Sequence, residues 1–180
     1  MMNGDPSLRC YKLLGRDDLL RLLRLAQRDR LDFFDRYPTW GRLYRNRVLC
    51  TALCQGAALH YMDPTVGIND FDIYSFYSDH PDRQWYAKRL QPVDYGDPKF
   101  GVSEISPKHY IGRRVDLMSR ALDASPGTDP FNAITAYLRS GRTRTARELA
   151  ANAVVLLEPV EKLGKVVWPT NVAIPQCGIL

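Results

Sequence analysis

Asp70 and Asp72 stand two residues apart at the head of the aromatic-rich run FDIYSFY, and Asp116 stands alone among apolar neighbours in RRVDLM. A strand sends alternate side chains to one face, so Asp70 and Asp72 project together. Side by side they repel and resist joint ionisation unless a cation lies between them. That pattern points to a divalent metal and, behind it, to phosphate chemistry. Each acid also has a plainer explanation. Asp70 fits a surface turn, bonding the backbone beside Asn69. A carboxylate buried without a partner is costly, and Arg113 or Arg114 is the candidate ion-pair partner for Asp116. A second group lies in GRTRTARE, residues 141–148, where Arg142 and Arg144 flank a helix start, a combination that attracts phosphate. Solvated charge is the alternative there.

The elements that must hold these residues follow from periodicity. Residues 48–54, VLCTALC, form an apolar run suited to a buried strand, broken by Gln55-Gly56-Ala57. AALHYM is long enough for a turn or two of helix, and 63–67 is turn material. FDIYSFY, residues 71–77, is the second strand, with Asp72, Tyr74 and Phe76 on one face. Upstream, leucines from Leu19 onward recur at helical spacing, opened by Asp17 or Asp18 and limited by Pro38. Trp40 to Arg47 is a loop or short helix. Downstream, Asp79 caps a helix running to about Leu90, residues 91–98 form a loop, and strands at 100–105 and 110–118 pair as a hairpin. Turn formers at 123–130 mark a boundary. Two helices follow, Pro130 to Ser140 and Ala146 to Leu157, with Thr145 and Glu148 spaced as a capping box and Pro159 as the stop. The expected division is a core at 1–125, a helical extension at 126–168 and an extended tail at 169–180.

Composition narrows the class. At 180 residues the chain can bury a core, and 45% hydrophobic with 25% charged residues is a globular balance. The net charge of +5 rests on 19 arginines against 6 lysines, groups suited to bidentate phosphate contacts. Four cysteines make no disulfide framework, and Cys50 and Cys54 lack the partners of a zinc site, so they read as small buried hydrophobes. No apolar run reaches the length of a membrane span. The final Cys-Gly-Ile-Leu is a loose match to a prenylation box with no basic cluster before it. A cytoplasmic setting without stable membrane association follows as the expectation.

Taken in order, an apolar strand, a small-residue turn at Gly56-Ala57, the Asp70 and Asp72 pair opening a second strand, and the single acid at Asp116 resemble the nucleotidyltransferase superfamily that includes DNA polymerase β. The closer likeness, over residues 45–120, is to small bacterial members such as the AbiEii-type toxins. The resemblance implies an α+β fold, a small mixed sheet flanked by helices with a C-terminal helical pair. It implies Mg²⁺ or Mn²⁺ on Asp70, Asp72 and Asp116. It implies an NTP whose phosphates lie on the helix opened by Gly56 and Ala57, with Arg142 and Arg144 as further phosphate contacts. The activity implied is transfer of an NMP to an acceptor hydroxyl of RNA, protein or a small molecule, in a toxin restrained by an antitoxin. Its alternative is a catalytically lapsed module of the same fold that binds RNA or a protein. The family turn is usually Gly-Gly or Gly-Ser; Ala57 keeps the N–H but brings no hydroxyl.

Overall fold

The computed structural model describes residues 9–85, 90–102 and 109–170. Its centre is a six-stranded mixed sheet. The strands are β1 (Val48–Cys54), β2 (Phe71–Ser78), β3 (Leu90–Asp94), β4 (Arg114–Leu122), β5 (Val154–Glu158) and β6 (Val166–Trp168), in spatial order β3-β4-β2-β1-β5-β6. β2 and β4 run parallel, and the other neighbouring pairs are antiparallel. Among the described residues five α-helices accompany it: α1 (Arg16–Arg36), α2 (Pro38–Tyr44), α3 (Gln55–Met62), α4 (Pro130–Ser140) and α5 (Arg144–Ala150). The α+β architecture expected from the sequence is present.

The period-two pattern of the strands divides the core into two layers. On one face Leu53, Phe71, Ile73, Val115, Leu117, Val155 and Leu157 meet the leucine stripe of α1 and Ala57 and Ala58 of α3. On the other, Ala52, Cys54, Tyr74, Phe76, Val154 and Leu156 meet Ala133, Ile134 and Leu138 of α4 and Leu149 of α5. The sheet is covered on both sides, which is why β1 and β5 are apolar along almost their whole length rather than alternating. A third cluster of Phe33, Phe34, Tyr44 and Tyr77 ties the end of α1 to α2.

Several expectations are corrected. α1 opens at Gly15, not at an aspartate; Asp18 instead receives the Gly15 N–H at 2.7 Å. The helix expected at 79–90 is absent over its described part. Asp79 accepts a hydrogen bond from Tyr44 Oη rather than capping a helix, and Leu90 opens β3, so the loop expected at 91–98 is partly strand. β3 is the antiparallel neighbour of β4; of the strand expected at 100–105, residues 100–102 are not strand, and residues 103–105 with the Ser106-Pro107-Lys108 turn lie outside the described residues. The strand expected at 110–118 begins at Arg114 and runs to Leu122.

The largest correction falls on Ala146 to Leu157. The second helix of the pair starts earlier, capped by Thr143, whose Oγ1 receives the Ala146 N–H at 3.0 Å, and ends at Ala150. Val154–Glu158 is then a strand paired with β1. The stretch taken as a helical extension therefore contributes two strands to the central sheet, and 123–130 is a surface turn within it. Cys50 and Cys54 are buried as free thiols. Among the described residues no helix is long and apolar enough to cross a membrane. Cys177 and the C-terminal tail lie outside the described residues.

Candidate functional site

β1 ends and β2 begins at the same edge of the sheet, and this edge gathers the residues singled out by the sequence. Cys54 is the register partner of Asp72 across the antiparallel pair. On the opposite side of β2, Asp72 is the register partner of Asp116 in the parallel pair. Paired strands lie about 4.8 Å apart, so the Asp72 and Asp116 side chains leave the sheet as neighbours, on the face shared with Tyr74 and Met118. Asp70 sits one residue before β2. The three acids are therefore brought to one strand edge.

Electrostatics records this proximity. Burial pushes the Asp72 carboxyl up to about 8, reinforced by the charges of Asp70 and Asp116. Burial also raises Asp70, with Asp116 adding to it and Arg114 and Arg113 opposing. Among the described residues no donor bonds the side chain of Asp70 or Asp72. Asp116 is different. Its Oδ1 accepts a 2.6 Å hydrogen bond from Arg114 Nε, and both groups are largely buried. This is the ion pair foreseen as the competing explanation for Asp116. Arg113 has a bracing role: it donates to the carbonyl of Asn69 at 3.0 Å and, through two nitrogens, to that of Phe100. It thereby fixes the turn that delivers Asp70.

The turn from β1 into α3 lies beside these acids. Its left-handed residue is Gln55, at φ 55°, a conformation disfavoured for a residue with a Cβ. Gln55 is held there by its N–H to the Ala153 carbonyl, 3.1 Å away. The helix thus opens at Gln55, one residue before Gly56, and its N-cap Cys54 makes no side-chain capping bond. Gly56 is exposed, and a Cβ there would meet nothing within 4 Å. Ala57 is buried against the core. The φ freedom of a second glycine is unnecessary at Ala57, because the turn's left-handed step is taken at Gln55. Nothing in the sequence marked Gln55, since its type carries no preference for that conformation.

Arg142 and Arg144 are placed elsewhere. Arg142 is exposed in the α4–α5 connection, and Arg144 bonds Glu148 at 2.6 Å on the surface of α5. The cations acting on Asp70 are Arg114, which opens β4, and Arg113 just before it, not residues of this loop. The cation that reaches from β4 toward α5 is Arg120, which donates to Thr145 Oγ1 at 2.6 Å.

As the side chains stand, no three His, Cys, Asp or Glu groups among the described residues converge closely enough to hold a metal ion. The donor chemistry nevertheless suits a hard divalent cation: carboxylate oxygens, two of the three without a hydrogen bond, at adjacent positions. Comparison with protein-family models, with curated proteins and with solved structures finds no match.

Proposed function

We propose that this chain transfers a nucleoside monophosphate from an NTP to an acceptor hydroxyl, with Mg²⁺ or Mn²⁺ held by Asp70, Asp72 and Asp116. The observation that carries the reading is the register of Asp72 with Asp116, next to a helix start with no side-chain cap. A bound divalent cation supplies charge neutralisation for the phosphates and acidifies the acceptor hydroxyl. The chain's own contribution is positional. The N–H groups of the first turn of α3 from Gly56 onward orient the phosphates, Arg113 fixes the Asp70 turn, and Asp116 takes the proton of the attacking hydroxyl. The bond formed joins the acceptor oxygen to the α-phosphorus; the bond broken frees pyrophosphate. RNA, protein and small-molecule hydroxyls all satisfy this chemistry, and an antitoxin partner belongs to the same reading.

A second reading has its own support. The Arg114–Asp116 ion pair places a protein cation where a metal would stand, as expected of a lapsed module that binds RNA or protein without turnover. Thermal unfolding with Mg²⁺ and each NTP separates the two. Under the enzymatic reading the wild type is stabilised and Asp72→Asn is not; equal shifts, or none, remove that reading. Incubation with α-labelled NTPs and mixed acceptors then names the substrate through the fraction that takes up label.

A further inference from the structure

On one face of the sheet, β2, β4 and β3 set their side chains in three rows. Asp72, Asp116 and Pro92 are register partners and form the row at the carboxylate edge. About 7 Å further along the strands, Tyr74, Met118 and Leu90 form the second row. Phe76 and Arg120 are the third, about 13 Å from the first. α4 and α5 close this face over β1 and β5, burying Ala52, Cys54, Val154 and Leu156. Toward β4 and β3 the face is more open: Pro92, Met118 and Arg120 are half-buried, and Leu90 is 53% exposed.

Two polar groups on this strip have capacity that the fold leaves unused. Tyr74 is 7% exposed, yet its hydroxyl bonds nothing among the described residues and is not sealed from solvent. A tyrosine buried to this depth ordinarily finds a partner. Burial raises the hydroxyl strongly, Cys54 and Asp72 add to the rise, and Arg120 opposes it, so the group lies within reach of both the carboxylate row and the guanidinium. Arg120 carries five N–H donors. One, on Nη2, goes to Thr145 Oγ1 at 2.6 Å and steadies the side chain against α5; the rest bond nothing among the described residues. Glu148 of α5, another acid whose charge reaches Tyr74, is itself held by Arg144 at 2.6 Å.

We propose that this strip holds the nucleoside of the NTP, its base lying on Met118 and Leu90 with an edge at Arg120, and its sugar hydroxyls meeting Tyr74 Oη. The inference rests on the reading of Asp70, Asp72 and Asp116 as the site of the metal and phosphates, and extends it along the strands. The order of the rows matches the order of a nucleotide: carboxylates for the metal-bound phosphates, an apolar floor for the flat ring, and donors for the ring edge. A thioether beneath an aromatic ring is a favourable contact, and every base presents an in-plane acceptor to an arginine. Arg120 is thus the arginine of the site in place of Arg142 and Arg144, and it acts on the base and not on the phosphates.

Isothermal titration with Mg²⁺ and no acceptor tests this, using each of the four NTPs and methyl triphosphate, which has the same charge and no nucleoside. At least one NTP is expected to bind about tenfold or more tighter than methyl triphosphate. Arg120→Ala should weaken that NTP about tenfold, the worth of one charge-assisted bond, and Tyr74→Phe should weaken it severalfold. Neither variant should alter methyl triphosphate binding. Tyr74→Phe removes a hydroxyl that bonds nothing within the fold, so it decides alone if loss of the Thr145 contact unfolds Arg120→Ala. The proposal is overturned if no NTP binds tighter than methyl triphosphate, or if a folded variant leaves NTP affinity unchanged or weakens both ligands alike. In those cases methyl triphosphate binding that Asp72→Asn abolishes leaves the carboxylate reading standing; absence of binding by every ligand to the wild type removes both.

Discussion

Burial and its acidic neighbours raise the Asp72 carboxyl strongly, which ties stability to pH in a definite direction. Its carboxyl moves from 3.8 in the unfolded chain to about 8 in the fold. The folded state therefore holds a proton that the unfolded chain releases between these values. The associated stability is full below pH 3.8 and is lost as pH rises toward 8. Asp72→Asn removes the liability, so at pH 8 without divalent cations the variant should unfold several degrees above the wild type. At pH 4 the two should coincide. Denaturation scans at both values check it, and a variant less stable at pH 8 would sink the account. Arg114 supplies the companion experiment. Arg114→Ala strands the largely buried Asp116 carboxylate, a loss of about 3 kcal/mol or more. If Asp116 is a metal ligand, millimolar Mg²⁺ restores part of that loss; if Arg114 permanently replaces a metal, urea melts with and without Mg²⁺ superimpose.

At the scale of elements, α1 is fastened to the sheet by one polar network as well as by its leucines. Glu158 at the end of β5 accepts from Gln27 Nε2 at 3.1 Å, from both Arg30 terminal nitrogens and from Thr51 Oγ1 at 2.8 Å. Burial draws its carboxyl upward, but the Arg30, Thr51 and Gln27 bonds outweigh this and leave it below 4.5. With a lowered value, the stabilisation is present above pH 4.5 and is lost as pH falls through the folded value. Glu158→Gln should therefore cost about 3 kcal/mol at pH 7 by leaving Arg30 unpaired, and its deficit against the wild type should close on acidification below pH 4.5, measured by urea melts. This network was not visible in the sequence, because Gln27, Arg30, Thr51 and Glu158 are up to 131 positions apart. What was visible had local causes. β1 is a continuous apolar run, β2 alternates with aromatics, and α4 has Asp129, Pro130 and Gly141 at its ends. What was misread lacked local punctuation. α5 stops at Ala150 with no Gly or Pro to announce it, so Ala146 to Leu157 read as one helix although Val154 and Val155 favour a strand. β3 contains Pro92, which the edge of a sheet accepts and a central strand does not. The three acids were legible by type and spacing. That β4 lies parallel beside β2, setting Asp116 against Asp72, is a long-range pairing no local pattern encodes.

For the molecule as a whole, the turn formers at 123–130 suggest a seam, yet the sheet crosses it. β5 adds Val154, Val155, Leu156 and Leu157, all fully buried, to the two core layers, and its pairing covers an edge of β1 that would otherwise be exposed. Glu158 reaches back to α1, and Lys162 pairs with Asp129 at the head of α4. Fully burying an aliphatic side chain is worth about 1.5–3 kcal/mol, so losing four, with the polar contacts, removes an amount comparable to the roughly 5–15 kcal/mol that keeps an ordinary domain folded. A chain ending at Asp123 should therefore not fold alone, giving a collapsed near-ultraviolet dichroism signal and aggregation through β1. The full chain should unfold in one transition with coincident tryptophan fluorescence and far-ultraviolet dichroism. Trp168 on β6 and Trp40 and Trp85 near the aromatic cluster report from opposite ends of the sheet. Two separated transitions, or a soluble and cooperative fragment, would show that the carboxylate edge stands on a core independent of the last two strands. In that case the Ala153 carbonyl that holds Gln55 at φ 55° would be dispensable to the turn beside Asp72.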